Sequence, residues 1–396
     1  MKKFLIKSFG FFVFGVMIPV VSAGVFEECT PCEVVSCNPE TVCNTKSLWD
    51  FGGWLDAGVM ANGYGQKDEY TNGVLDPDSG NTGHLKNAKH ASFQINQAWL
   101  FLGKRLNQRG FDIGGRVDFM YGVDGQHFQA AGLGYEPGTG KRWGEGDYYA
   151  ALPQLYAEVG YKNLSVKVGK FFTPMGLDSS CSPNRFFYTT SYENQSYIDF
   201  GGVLATWALN KNGAIFGGWV NGEGNFFDGN NRNAFLGGVS YKVGSRVQVD
   251  YSALIGKDEA VRQYFVNSLV ARINLNQSWN YAIAWLLRNE KSDLVPNLHF
   301  GRYGVNQEIF YKLNSRWTVG ARAEWMKDYS NARGYDFDVY AFTLGVNWKP
   351  TAFLTIRPEV RYDNFSGEKP FNRTKSKGLD LKDDQFLYGF SGYIQF

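Results

Sequence analysis

Beyond its first two dozen residues the chain lacks any apolar run approaching the ~20 residues that a membrane-crossing helix needs, so a helical membrane protein is excluded. It also lacks an excess of either charge. Forty basic and 38 acidic residues leave +2, without the concentrated positive charge that phosphate neutralisation demands, so no nucleic-acid partner is expected. Histidine is scarce: His84, His90, His127 and His299 are the whole supply. A hydrolase would need one of them beside a serine or an acid at a strand end, and only His299 stands near a strand start. No catalytic residues are therefore assigned, and the chain reads as a non-enzyme. Cysteine is nearly absent after residue 43. Cys29, Cys32, Cys37 and Cys43 crowd one short stretch, and Cys181 stands alone. Their spacing lacks two well-separated Cys-x-x-Cys knuckles, which argues against zinc. Asp76-Pro77-Asp78-Ser79-Gly80-Asn81 has the start of a calcium loop but no closing glutamate. No metal or cofactor is expected.

What is present begins with a targeting pattern. Lys2, Lys3 and Lys7 precede an apolar segment, and Val21-Ser22-Ala23 supplies a small-residue cleavage site. The expected division is a signal peptide over 1–23, a cysteine-rich periplasmic leader over 24–49 and a barrel over 50–396. Export makes disulfides permissible, so Cys29, Cys32, Cys37 and Cys43 are disulfide candidates. Cys181 is either free or paired with one of them.

From residue 50 onward one unit repeats: strand, long polar link, strand, tight turn. Phe111, Ile113, Val117, Phe119 and Tyr121 alternate with Asp112, Arg116 and Asp118. At the end of the chain Phe386, Tyr388, Phe390, Ile394 and Phe396 share one face. Strict alternation of this kind is a β-strand with one apolar face. About sixteen such segments of about 10 residues follow one another, the length of a tilted membrane strand. The links alternate throughout. Long ones, such as 122–151 and 172–201, follow odd strands; tight ones, such as Lys162-Asn163 and Gly244-Ser245, follow even strands. A soluble sandwich has no reason to alternate loop lengths, whereas a bacterial barrel puts short turns in the periplasm and long loops outside. Trp279, Trp317 and Trp348 lie beside short turns; Trp285 and Trp325 lie toward the long loops, as two interfacial girdles would. The fold expected is all-β: a transmembrane antiparallel β-barrel of about 16 strands in a Gram-negative-type outer membrane. Its last strand pairs with its first, and its partners are outer-membrane lipid and the barrel assembly machinery.

The opposite face carries a charge on almost every strand. Facing lipid, an arginine or lysine at the midplane would cost about 2–4 kcal/mol, so this face must enclose water. The expected function is passive diffusion of small hydrophilic solutes or ions. The rival is a plugged structural or adhesive barrel. The link 172–201 is apolar and aromatic, costly in bulk water, and expected to fold inward as a constriction. The residues expected at the pore are Lys167, Lys170, Arg185, Phe186, Phe187 and Tyr188, with Arg322, Glu324, Arg357, Glu359 and Arg361 on late strands.

Two stretches carry a family resemblance. Val166-Lys167-Val168-Gly169-Lys170-Phe171-Phe172-Thr173-Pro174-Met175-Gly176 resembles the strand-to-loop signature of OmpL-like outer-membrane β-barrel porins. Ile356-Arg357-Pro358-Glu359-Val360-Arg361-Tyr362-Asp363 is similar to a late strand of the same family. The resemblance spans roughly residues 54–396 and implies a porin-like barrel, with a homotrimer by analogy. It does not name a solute. The loop offers few cations, so phosphate selectivity is not expected.

Overall fold

The computed structural model describes residues 48–63, 70–71, 74–75, 81, 89–107, 110–192, 199–226, 233–257, 262–292, 298–330, 335–372 and 380–396. The signal segment, the leader with Cys29, Cys32, Cys37 and Cys43, and His84 lie outside the described residues. So does nearly all of the calcium-like stretch.

One sheet of eighteen segments closes on itself; two of them, Gly144–Glu145 and Tyr148–Ala151, are short pieces at the rim, which leaves sixteen barrel strands. These are β1 Trp49–Asn62, β2 Gln94–Lys104, β3 Phe111–Gly122, β4 Leu155–Tyr161, β5 Leu164–Phe172, β6 Asp199–Asn210, β7 Gly213–Glu223 and β8 Asn233–Val243. They continue with β9 Val247–Lys257, β10 Arg262–Asn274, β11 Trp279–Ser292, β12 His299–Lys312, β13 Trp317–Ser330, β14 Tyr335–Trp348, β15 Leu354–Ser366 and β16 Asp384–Gln395. Each strand pairs antiparallel with its sequence neighbours. The seam is β1 against β16, running from Trp54↔Gln395 to Asn62↔Leu387. Closure leaves no edge strand, and so no row of unpaired backbone groups in hydrocarbon.

The alternation read from the sequence sets which face is which. On β3 Phe111, Ile113, Phe119 and Tyr121 point outward and are exposed, while Arg116 and Asp118 are buried inside. On β16 Phe386, Tyr388, Phe390 and Ile394 are exposed, while Gln385, Leu387 and Ser391 are buried. Exposed apolar side chains ring the whole circumference. In water a patch this wide would drive association; in lipid it is the solvated face. At the short-turn end Trp317 and Trp348, direct cross-strand partners, stack at 5.4 Å, and Trp279 lies 4.5 Å from Tyr311. At the long-loop end Trp219 and Tyr340 are exposed. Trp325 there donates Nε1–H to Asp338 Oδ1 at 2.9 Å, keeping its polar edge paired.

Strand limits differ from the sequence reading in two ways. β11 and β14 run about four residues further toward the long loops than the apolar alternation does. Alternation marks only the lipid-facing part, whereas ladder hydrogen bonds continue beyond it. β4 is shorter, because Leu152-Pro153-Gln154 interrupts it. Pro153 has no N–H for the ladder. The carbonyl freed at Leu152 accepts a hydrogen bond from Lys170 Nζ at 3.1 Å.

The inner face is less uniformly polar than its charge pattern suggests. Phe200, Leu204, Phe216, Val220, Leu236, Leu254, Val266 and Leu286, from β6 to β11, form a buried apolar cluster inside the barrel. Trp54, Trp99, Phe101 and Met120 form a second one with Phe128, which belongs to a one-turn helix, Gly125–Phe128, in the β3–β4 link. Apolar inner walls need cover, and the loop after β5 provides much of it.

Candidate pore constriction

The link between β5 and β6 folds into the barrel, as its composition implies. Its base is clamped first. Phe172 and Asp199 are cross-strand partners, and buried Lys170 pairs with Asp199 at 3.0 Å while donating to the carbonyl oxygens of Phe128 and Leu152. Lys170 is thus a strut at the loop root. Gly169 on the same strand has φ +133, and a Cβ there would lie 2.2 Å from the Leu155 carbonyl oxygen. Only glycine allows this approach.

The loop then crosses the lumen. Met175 packs into the apolar cluster of β6 to β11. Ser252 Oγ on β9 donates to the Pro174 carbonyl at 3.0 Å, and Gly176 N–H donates to Ser268 Oγ on β10 at 3.0 Å. Gly176 turns the chain at φ +88, in the left-handed region. Further along, Gln97 on β2 reads both sides of the backbone: Nε2 donates to Ser180 O at 2.9 Å and Oε1 accepts from Ser182 N–H at 3.1 Å. Arg357 on β15 donates to Ser182 O at 2.9 Å and pairs with Asp56 on β1 at 2.7 Å. Asn96 donates to the same Asp56 at 3.0 Å and accepts from Tyr188 Oη at 3.1 Å.

A second knot holds the returning half. Glu359 accepts Tyr188 N–H at 2.6 Å and Thr189 N–H at 3.2 Å, and Glu324 accepts Tyr192 N–H at 2.6 Å. Arg322 donates to Thr189 O at 2.9 Å, and Arg361 to Thr190 O at 3.1 Å. Arg361 also pairs with Asp363 at 2.6 Å and Glu324 at 3.2 Å. Asp178, on the loop, accepts Ser191 N–H at 2.6 Å and lies 3.6 Å from Arg322. Buried backbone groups must find partners. Here charged wall residues serve a segment that forms no sheet of its own.

The residues singled out from the sequence therefore divide. Arg322, Glu324, Arg357, Glu359 and Arg361 come together, but buried beneath the loop. Phe187 and Tyr188 are also buried: Phe187 lies 4.8 Å from the Arg322 guanidinium carbon, and Tyr188 packs with Met60 and Leu387. Phe186 packs against Phe310, ring centroids 4.7 Å apart and tilted at 49°, in space left by Gly320, where a Cβ would stand 2.5 Å from its ring. Lys167, Arg185 and Phe186 line open space instead, a cavity of about 610 Å³ between the loop and the inner wall of β5 to β12. It adjoins a vestibule of about 320 Å³ at the short-turn end, with which it shares Lys167 and Thr206. Sequence reasoning missed Gln97, Ser252 and Ser268. Ser252 and Ser268 face each other across two strands, a pairing without meaning until a loop lies on it.

Cys181 is buried with Trp54, Trp99 and Phe101. Its position packs the loop against β1 and β2.

Residues 49–396 match the family described as "Putative beta-barrel porin-2, OmpL-like". No curated protein matches the chain. Among solved structures, the in-vitro folded trimer form of OmpT, an outer membrane protein of Vibrio cholerae, is 12% identical with a TM-score of 0.57, covering 88% of this chain and 99% of that one. The anion-selective porin from Comamonas acidovorans is 10% identical with a TM-score of 0.54, covering 88% and 99%. The outer membrane channel DcaP of Acinetobacter baumannii is 10% identical with a TM-score of 0.56, covering 88% and 97%. At such identities these neighbours speak to the fold alone. The family match over the whole barrel carries the rest, and the chain belongs to the OmpL-like β-barrel porin-2 family, as a non-enzymatic diffusion porin of the outer membrane.

Proposed function

We propose that small hydrophilic solutes and ions pass through the space that the inward loop leaves beside β5 to β12, with Lys167, Arg185 and Phe186 at the narrow point. The observation that carries this reading is the cavity of about 610 Å³, walled on one side by the loop and on the other by charged inner residues such as Arg272 and Asp250. Lys170, Phe187, Tyr188, Arg322, Glu324, Arg357, Glu359 and Arg361 act at one remove, by fixing the loop that defines the aperture. Single-channel conductance of the refolded mature chain in a planar bilayer tests the reading, with the reversal potential in a salt gradient giving ion preference. Stable conductance steps are expected. A folded, heat-modifiable but silent barrel would overturn it in favour of a plugged structural barrel, a reading that the buried loop anchors and the apolar inner clusters favour.

The assembly we infer is a homotrimer in outer-membrane lipid, placed there by the barrel assembly machinery; the trimer form of the Vibrio cholerae neighbour supports it. We also infer that residues 1–23 are a cleaved signal peptide and that 24–49 form a periplasmic leader. A disulfide from Cys181 to one of Cys29, Cys32, Cys37 and Cys43 would tie that leader to the loop. Cys181 is buried on the inward loop, and the chain's other four cysteines all lie in the leader. Peptide mass mapping without reductant should recover a leader peptide linked to the Cys181 peptide, and that species should vanish on reduction.

A further inference from the structure

Four cations among the described residues line the cavity under the loop, Lys167, Arg185, Lys242 and Arg272, and Arg185 is the most buried of them. Arg185 is 7% exposed and lines the cavity. Its Nη2 donates to Ser182 Oγ at 3.4 Å, a long bond, and its Nε and Nη1 have no hydrogen-bond partner among the described residues. The nearest carboxylate, Asp124 Oδ2, is 3.9 Å away and already accepts from Gln97 Nε2 at 2.7 Å. A buried guanidinium with idle donors is costly unless something satisfies it. Its neighbours differ. Arg272 is matched by Asp250 at 2.7 Å. Lys167 faces Glu158 across the β4–β5 ladder and lies 4.5 Å from the Tyr156 ring. The other two acids on the cavity wall are placed differently: Asp178 accepts Ser191 N–H and lies near Arg322, whereas Glu308, the cross-strand register partner of Arg322, keeps Oε1 without a hydrogen-bond partner among the described residues. The same wall carries ring surface, from Phe172, Phe186 and Phe310, alongside neutral polar side chains such as Gln154 and Asn184.

We propose that this cavity binds small organic carboxylates, the carboxylate meeting the Arg185 guanidinium and the apolar body lying on Phe172, Phe186 and Phe310. An ionised acceptor suits idle guanidinium donors better than any neutral group. The rings favour an organic anion over a strongly hydrated inorganic one. The volume is within the range of small-molecule sites, which are mostly apolar with a few placed polar groups. The proposal rests on the porin reading for its biological use, as a place where solute pauses in transit, but the site itself can be tested apart from conduction.

The experiment is isothermal titration of the detergent-folded mature chain with benzoate, inorganic phosphate and benzyl alcohol, beside bilayer recordings on the same preparation. Benzoate should bind, with phosphate and benzyl alcohol at least tenfold weaker. Arg185→Gln should weaken benzoate at least tenfold while keeping a heat-modifiable fold, because the Arg185 carbonyl that accepts from Arg357 is unchanged. Arg185→Lys should fall between. Phosphate binding as well as benzoate would overturn the organic preference, and benzyl alcohol binding as well would overturn the role of the charge. Unchanged benzoate affinity in folded Arg185→Gln would overturn the site. If Arg185→Gln does not fold, the comparison of the three probes and of Arg185→Lys still decides. A silent bilayer with intact benzoate binding would sink the porin reading and leave the site; conduction without benzoate binding would do the reverse.

Discussion

Arg361 shows how the lumen's charges are used. It lies between Asp363 and Glu324 and also holds the Thr190 carbonyl, all of them buried. Replacing it with methionine would strip Asp363 of its cation and leave Glu324 with Arg322 alone, at 2.9 Å. Breaking a buried pair this way typically costs about 3–5 kcal/mol. Arg361→Met should therefore lower the temperature at which the folded band converts on a heat-modifiability gel and should make the channel flicker. A quiet channel of unchanged thermal stability would show that the network does not hold the loop. Glu359→Gln is a milder test. The amide oxygen can still accept from one of the two N–H groups, so a smaller drop is expected in the same assay. Lys170 at the loop root lies three residues from Lys167 on β5 but in different surroundings. One is buried against Asp199 and two carbonyl oxygens; the other faces the cavity.

Among the elements, the loop between β5 and β6 has the largest influence on function. Its described residues form no regular sheet, yet their carbonyl and N–H groups are taken up by β2, β9, β10, β13 and β15. Its ends are fixed independently by the Phe172↔Asp199 pairing and the Lys170–Asp199 ion pair. Replacing residues 177–190 with a short glycine-serine link should leave the barrel intact and raise single-channel conductance several-fold. Unchanged conductance would place the narrow point elsewhere. The expectation that this link folds inward was legible from Phe186, Phe187, Tyr188 and Tyr192, too apolar for bulk water. Which rings face the aperture was not legible. Phe187, Tyr188 and Tyr192 are buried against the wall, and only Phe186 of the four lines the cavity.

At the scale of the molecule, sixteen strands close between lipid outside and a partly filled lumen inside. The outer surface is set by exposed apolar side chains on every strand, with aromatic bands toward both ends. Wide apolar surface of this kind is stable only in lipid or against another subunit. Light scattering of the detergent-extracted protein, corrected for bound detergent, should give three copies of the chain. A single copy would remove the trimer and leave the barrel reading untouched.

Strand number, strand pairing and the inside-outside assignment were determined by the sequence alone. Period-two alternation and alternating loop lengths are local properties, and in a closed meander each strand pairs with its neighbours. Phe111 to Tyr121 and Phe386 to Ile394 point where their spacing said they would. The late-strand motif from Ile356 to Asp363 likewise predicted an inner row of charge. What only the tertiary structure decided is what that charge meets. Arg322, Arg357 and Arg361 are some 130 to 180 residues from the loop they hold, and no local pattern states that a buried carbonyl rather than water will face them. Arg185 is the converse case. Its neighbours in sequence gave no sign that its guanidinium would be enclosed with idle donors, because that depends on which acids other cations take first.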